Sequence, residues 1–208
     1  AKPEEFPDLL HPNALGYAKW EQVLRPHLDA TGLTAGWTDD FTPEPGFESL
    51  FNGRDLTGWG YAGPGTNAQV AAEDPLLRFG AKNGRLLVLP ARVERAYRKL
   101  WTTRQFSKDF ELRLEFRAAP NADSGIFIRE PQLQCRDYAI AGPYFALKNY
   151  RALDWNEMVI TVRGGLAHCV CNGEVLIDAM PVPSTGPIGL ESDHGLLEYR
   201  RIRVREAR

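Results

Sequence analysis

Strict alternation of apolar and charged side chains between Phe110 and Arg117 constrains the fold of this chain more than any other feature. The apolar set is Phe110, Leu112, Leu114 and Phe116, and the charged set is Glu111, Arg113, Glu115 and Arg117. Because successive side chains of a β-strand point to opposite faces of the sheet, this pattern predicts an antiparallel strand with one buried face and one face in water.

The chain from residue 158 to residue 177 has the pattern of three consecutive strands joined by tight turns. Apolar residues alternate over 158–162, the pair Gly164 and Gly165 suits a turn with positive φ values, and a second strand pattern covers 166–171. Asn172 with Gly173 is a further turn signal before the last apolar run. These signals predict a three-stranded antiparallel meander.

The last strand pattern changes its parity after Tyr199, because Ile202 would otherwise fall on the opposite face of the sheet. One extra residue at Arg200 and Arg201 accounts for the change, which predicts a β-bulge there. About ten short strand patterns, with no helical pattern after Pro26, predict an all-β fold of two antiparallel sheets packed as a β-sandwich.

Residues 1–30 differ from the rest because apolar residues such as Tyr17 recur there at helical spacing. The pattern predicts an N-terminal α-helix that begins after Pro12 and ends at Pro26. Residues 31–45 are rich in Gly, Thr, Asp and Pro without any period. They are predicted to be a linker.

Composition bears on the partners of the chain. Its 208 residues are 43% hydrophobic, which is enough to fill a core. A net charge of -2 provides no large basic face, so no nucleic-acid partner is predicted. No apolar run reaches the roughly 18 residues of a membrane span, and no signal-peptide pattern opens the sequence.

Two segments that stand far apart in the chain carry a family resemblance. The first reads FESLFNGRDLTGW over residues 47–59, and the second reads GPIGLESDHGLLEYRRIRV over residues 186–204. Together they resemble the opening and closing motifs of the 3-keto-disaccharide hydrolase family, a secreted or periplasmic concanavalin A-like jelly roll. The resemblance implies a jelly-roll domain over residues 46–208, an oligosaccharide or glycoside as ligand, and a periplasmic or extracellular location.

A second resemblance concerns the string FPDLLHPNALGYAKWEQVLRPHL, which starts at Phe6. It resembles the C-terminal helix of SGNH/GDSL esterases, in which Asp8 would orient the catalytic base and His11 would be that base. The sequence contains no Gly-Asp-Ser nucleophile. The resemblance implies that residues 1–30 are the remnant of an upstream SGNH hydrolase domain, and the alternative is an amphipathic helix docked on the sandwich.

The segment from Ser124 to Arg129 resembles the family's NSGIFFR strand. The resemblance implies that Arg129 points its guanidinium into a sugar-binding groove on the concave sheet. A guanidinium offers a planar fork of donors that grips hydroxyls or polarises a ketone. The alternative is a structural ion pair with Glu130 or Asp137.

The next strand departs from the family pattern Tyr-Glu-x-Gln-x-x-Asp. Gln134 and Asp137 match it, but Gln132 stands in the place of the glutamate. Glutamine cannot exchange a proton at neutral pH, so either the protein is inactive or another carboxylate, Asp137 or Glu191, replaces that acid. Gln132 and Gln134 are two residues apart on a strand and therefore share one face, where both are predicted to bind sugar hydroxyls.

Three further segments contribute candidate residues. Tyr144 and Lys148 would close over the site from a loop that resembles the family's TGALY segment. Trp155 matches the family's Trp-Asn pair and would stack on a sugar, with core packing as the alternative. Glu191 and His194, three residues apart, would exchange protons near neutral pH, and solvated turn residues are the alternative.

Three cysteines are present, Cys135, Cys169 and Cys171. Cys169 and Cys171 lie two apart on a predicted strand, about 7 Å from each other, which is too far for a mutual disulfide. Either one of them pairs with Cys135, or all three are buried free thiols. The spacing of the cysteines is not that of a zinc site.

The family resemblance implies cleavage of a 3-keto-glycoside by elimination and hydration. A ketone at C3 acidifies the C2 hydrogen, so a base can form an enolate that expels the C1 substituent before water adds. Arg129, alone or with a divalent metal ion held by Asp137 and Glu191, would polarise the ketone, and Glu191 or His194 would take the proton.

The Glu-x-Asp-x-x-Glu strand of jelly-roll glucanases is absent from the sequence, which favours elimination over direct displacement. The alternative function is a non-catalytic carbohydrate-binding module appended to an esterase.

Overall fold

The computed structural model describes residues 41–61, 78–90, 98–139 and 144–207, together with Lys19 and Val23. The chain divides into two compact units, Ala1–Thr38 and Asp39–Arg208. Apart from Lys19 and Val23, the predicted N-terminal helix lies outside the described residues, as do Asp8 and His11. None of the helical residues described here belongs to a helix with the length and hydropathy needed to cross a membrane.

The described part of the second unit contains thirteen β-strands and no α-helix. The strands are β1 Glu48–Ser49, β2 Trp59–Gly60, β3 Phe79–Lys82, β4 Arg85–Val88, β5 Arg98–Thr102, β6 Phe110–Ala118, β7 Asp123–Ile128, β8 Gln132–Arg136, β9 Asn156–Arg163, β10 Leu166–Cys171, β11 Glu174–Pro181, β12 Ile188–Ser192 and β13 Leu197–Glu206.

The described strands form two antiparallel sheets. The eight-stranded sheet has the order β11-β10-β9-β6-β13-β4-β3, with β1 also paired to β13, and the five-stranded sheet has the order β2-β5-β12-β7-β8. This architecture confirms the predicted all-β, two-sheet sandwich. In the five-stranded sheet, neighbouring strands such as β5 and β12 come from distant parts of the chain, so its surface cannot be assembled from any single sequence segment.

Local sequence patterns account for several strands directly. In β6, buried and half-buried residues alternate along the whole strand, as the apolar and charged pattern predicts. The predicted meander is confirmed, because β9 pairs with β10 and β10 pairs with β11. The predicted bulge is confirmed as well: Arg200 pairs with Glu115 while Arg203 pairs with Arg113, and Arg201 has a φ of 54°.

The core lies between the two sheets. Its largest fully buried side chains include Trp59, Tyr138 and Tyr199. The three cysteines are free thiols buried in this core. Burial raises the pKa of Cys169 and of Cys171 to about 12 in each case, so neither is a reactive thiolate at neutral pH.

Residues 41–49, here called the N-terminal strap, pack on β13 of the eight-stranded sheet. The carboxylate of Glu44 accepts two hydrogen bonds from the Arg203 guanidinium, at 2.6 and 2.7 Å. These bonds lower the pKa of Glu44 to about 2. The ring of Phe41 lies 5.0 Å from the Arg203 guanidinium carbon. The described end of the predicted linker, 41–45, is therefore attached to the sandwich.

Candidate functional site

Side chains from four strands meet on the outer face of the five-stranded sheet, the face directed away from the eight-stranded sheet. One row across this face contains Trp101 of β5, Gly189 of β12, Phe127 of β7 and Gln132 of β8, which are paired in register. The glycine leaves room in the middle of the row, because a Cβ at Gly189 would lie 2.5 Å from the Trp101 ring. The indole therefore leans over β12.

The neighbouring row carries the charged groups. Lys99 of β5 stands opposite Glu191 of β12, and Gly125 of β7 stands opposite Gln134 of β8. Glu191 and Gly125 are each one residue beyond the paired Leu190 and Ile126, so all four positions lie side by side. This row thus has a glycine in β7, whereas the first row has its glycine in β12.

A hydrogen bond crosses β7 through the gap that Gly125 leaves. The Gln132 Nε2 donates to Glu191 Oε2 at 2.6 Å. A Cβ at Gly125 would lie 2.1 Å from the same Nε2, so the amide occupies the space that any side chain on β7 would take. The structure thus brings Gln132 and Glu191, two of the predicted site residues, into direct contact.

Two aromatic rings form the floor beside the charged row. The Trp101 and Phe127 ring centroids are 5.3 Å apart, and the Lys99 Nζ lies 4.0 Å from the Phe127 ring centroid. Both rings are nearly covered, with Trp101 6% and Phe127 4% exposed. They therefore support the ammonium group of Lys99 and offer little open surface on which a sugar could stack.

The environment of Glu191 alters its acidity. Burial raises the pKa of this carboxyl, and the negative charge of Asp193 raises it further. Lys99 and the hydrogen bond from Gln132 act in the opposite direction, and Asp123 adds a smaller upward effect. The net direction is upward, which makes the carboxylate a stronger base than an exposed glutamate.

A polar cluster borders Glu191 at the start of β7. The Gln134 Nε2 donates to Asp123 Oδ1, and Arg136 Nη2 lies 3.3 Å from Asp123 Oδ2. The ligand atoms of Asp123, Asp193 and His194 lie within 4.8 Å of one another, the one such trio within the described residues. Asp123 is already engaged by an amide and a guanidinium, and His194 Nδ1 lies 3.8 Å from Asp193 Oδ2.

Arg129 does not reach this face, contrary to the prediction. It follows β7 with a φ of 66°, is 2% exposed, and donates to the carbonyl oxygens of Pro183 at 2.7 Å and Lys108 at 2.6 Å. Burial lowers the pKa of its guanidinium. The predicted alternative pairing with Glu130 or Asp137 is not among its described contacts either, because backbone carbonyls hold both terminal nitrogens.

Asp137 also lies apart from Glu191. It is 6% exposed, and its carboxylate accepts hydrogen bonds from the backbone N–H groups of Asn121 and Ala139, both at 3.2 Å. The Tyr150 hydroxyl lies 3.4 Å from the same carboxylate. Among the described residues no contact joins Asp137 to Glu191, so the structure does not bring together the pair predicted to hold a divalent metal ion.

The remaining predicted residues lie elsewhere. The Tyr144 ring packs edge-on against Tyr138 at 5.1 Å, and the Lys148 backbone N–H donates to Glu174 at the start of β11. Neither contact involves the outer face of the five-stranded sheet.

Trp155 lies on the outer face of the opposite sheet. The guanidinium carbons of Arg200 and Arg117 lie 4.0 and 4.9 Å from its ring. The cation contacts differ from both predicted roles, which were sugar stacking and core packing. The neighbouring Asn156 orders the preceding turn, since its side chain bonds the backbone of Arg151 and Asp154.

Sequence reasoning missed four residues of this face: Lys99, Trp101, Asp123 and Phe127. The signal was parity within each strand: Lys99 and Trp101 are two residues apart, and Asp123 and Phe127 are four apart, so each pair shares one face of its strand. This parity becomes informative only once the strand order places β5 and β7 on either side of β12.

The two antiparallel sheets, with amide, carboxylate and ammonium groups gathered on one of them, form a jelly-roll β-sandwich domain. Residues 46–205 match the 3-keto-alpha-glucoside-1,2-lyase-like domain, and the chain belongs to that family. None of the curated proteins is similar to this chain in sequence at a significant level.

Two solved structures from Parabacteroides distasonis ATCC 8503, each named as a putative glycosyl hydrolase, are similar in fold. The first is 14% identical, with a TM-score of 0.62 over 82% of this chain and 100% of that chain. The second is 19% identical, with a TM-score of 0.54 over 77% of this chain and 99% of that chain. At these identities the likeness concerns the fold.

Proposed function

We propose that this domain cleaves a 3-keto-glycoside by elimination, with Glu191 as the base that removes the C2 proton. The observation that carries the proposal is the position of Glu191, half-buried on the outer face between Lys99 and Gln132, with its pKa raised. Membership in the 3-keto-alpha-glucoside-1,2-lyase-like family supports a sugar substrate with this chemistry.

The residues of the outer face would act in a defined order. Glu191 takes the C2 proton, and the electron pair of the C2–H bond moves toward the C3 carbonyl oxygen to form an enolate. The Lys99 ammonium group, held over the Phe127 ring, stabilises the negative charge on that oxygen. Lys99 thus takes the role predicted from the sequence for Arg129.

The enolate then collapses with loss of the C1 substituent, whose oxygen takes a proton from solvent. Water adds across the C1–C2 double bond and completes a net hydrolysis. Gln134, which lies in the same row as Glu191, would contact hydroxyls of the sugar, as would His194, which bridges to Asp123. A saccharide substrate is also in keeping with the periplasmic or extracellular location that the family resemblance implies.

Incubation with a 3-keto-glucoside and with its unoxidised parent tests the proposal. We expect turnover of the keto sugar alone. Glu191→Gln should lower kcat/KM by about a hundredfold or more, because the amide cannot accept a proton. The rate should fall as the pH drops through the pKa of Glu191, which lies above the 4.5 of an ordinary glutamate. Glu130→Gln, an exposed acid after β7, is the matched control and should keep full activity.

Absence of turnover with both sugars would overturn the enzymatic proposal. Binding of the unoxidised glycoside by the same protein would then favour the alternative function, a carbohydrate-binding module. Turnover that persists in Glu191→Gln would instead assign the base to another residue.

A further inference from the structure

The contact between Gln132 and Glu191 spans two strand spacings. Neighbouring strands lie about 4.8 Å apart, so residues on β8 and β12 face each other across about 10 Å, with β7 between them. A direct hydrogen bond of 2.6 Å at that separation requires the middle strand to be free of side chain at the crossing point. Gly125 meets this requirement.

We infer that Gln132, Gly125 and Glu191 form one positioning device, in which the amide fixes the carboxylate across β7 and the glycine provides the opening. Gln132 is then a positioning residue and not primarily a contact for sugar hydroxyls. The inference rests on the proposed function for its catalytic consequence, but the geometry of the device is independent of turnover.

Position 132 is also where the family pattern described above has a glutamate. Because its side chain meets that of Glu191 directly, the two positions together hold one carboxylate and one amide. The device therefore explains how a glutamine at 132 is compatible with an acid in the site: the acid stands on β12, and the amide that orients it stands on β8. Exchange of the two side chains should preserve the pair.

The charges that face Glu191 come from every neighbouring element. Lys99 on β5 favours the carboxylate, as does the Gln132 amide on β8. Asp123 on β7 and Asp193, just beyond β12, disfavour it, and the buried Tyr199 of β13 lies near enough to interact with it. Loss of the amide should consequently raise the pKa of Glu191, because one of the two opposing groups is removed.

The first experiment is an NMR titration of the Glu191 side-chain carboxyl in Gln132→Ala, Gly125→Ala and the double variant. The backbone at residue 125 accepts an alanine, since the φ of Gly125 is not positive. The added methyl group would displace the flexible side chain of Gln132. We expect both single variants to raise the pKa of Glu191. The double variant should match Gln132→Ala, because Gly125 acts only through Gln132.

An unchanged pKa in Gln132→Ala would overturn the inference, as would an additive effect in the double variant. Thermal unfolding of each variant shows whether it is folded. These readouts need no substrate, so they remain decisive even if the proposed function fails.

The second experiment exchanges the two side chains and measures turnover of the 3-keto-glucoside. Glu191→Gln leaves two amides and should lose about a hundredfold or more in kcat/KM, whereas Gln132→Glu leaves two carboxylates that share a proton and should shift the pH profile to higher pH. The exchanged protein, Gln132→Glu with Glu191→Gln, should be at least about tenfold more active than Glu191→Gln alone. A folded exchanged protein with no such recovery would refute the pairing of the two positions.

Discussion

Arg129 turns into the protein because β7, the strand before it, ends at Ile128. Within a strand the parity would have placed this side chain on the outer face with Phe127 and Gly125. The positive φ of Arg129 breaks the alternation, and its guanidinium meets the carbonyl oxygens of Pro183 and Lys108. At this residue the sequence motif identified an important arginine but not the direction of its side chain.

Removal of this guanidinium should therefore reduce stability. In Arg129→Met the carbonyl oxygens of Pro183 and Lys108 lose charged donors, and we expect the free energy of unfolding to fall by about 3 kcal/mol. Urea denaturation measures the change. Arg163→Met, an exposed arginine at the end of β9, should change stability by less than about 0.5 kcal/mol. A stable Arg129→Met protein without turnover would indicate instead that Arg129 acts in catalysis.

Gln132 and Gln134 show what alternation alone can establish at the residue scale. Their shared face could be predicted from the sequence, and both side chains lie on the outer face of the five-stranded sheet. Their hydrogen-bond partners could not be predicted, because Glu191 and Asp123 lie on other strands. Parity gives the face of a side chain, whereas only the strand order gives its neighbours.

The pairing of strands that are neighbours in the sequence could be predicted, whereas the pairing of strands that lie far apart in the chain could not. Strands β9, β10 and β11 pair consecutively, so alternation and turn residues were sufficient. The candidate site needs β5, β12, β7 and β8 in that order, which joins residues 98–102 to residues 188–192. No local pattern encodes that pairing.

The close packing of β5 on β12 depends on Gly189. A methyl group there would lie 2.5 Å from Trp101 and would push the indole away from Phe127. We expect Gly189→Ala to lower the free energy of unfolding by about 2 kcal/mol through overpacking. Urea denaturation tests this, with Gly80→Ala in β3 as the control.

Gly80 is a matched position because a Cβ there would meet nothing within 4 Å, and its φ is not positive. Its replacement should leave stability within about 0.5 kcal/mol of the parent protein. Equal effects of the two substitutions would show that the contact with Trp101 does not limit the packing of β12.

At the scale of the whole molecule, the two sheets present different outer surfaces. The eight-stranded sheet carries arginines and glutamates joined in ion pairs, such as Arg200 with Glu115 and Arg203 with Glu44. Trp155 belongs to that surface. The outer face of the five-stranded sheet instead brings a carboxylate of raised pKa next to amides, which is the arrangement suited to proton transfer.

The core between these surfaces holds all three thiols, and their reactivity should report global unfolding. Burial raises the pKa of Cys169 and Cys171 to about 12 and that of Cys135 further, so at pH 8 roughly one in ten thousand of the first two is thiolate. We expect a disulfide exchange reagent to label no cysteine rapidly in the native protein and three per chain in denaturant without reductant. A single thiol in denaturant would instead reveal a disulfide between Cys135 and one of the other two, and rapid native labelling would show that the core opens locally.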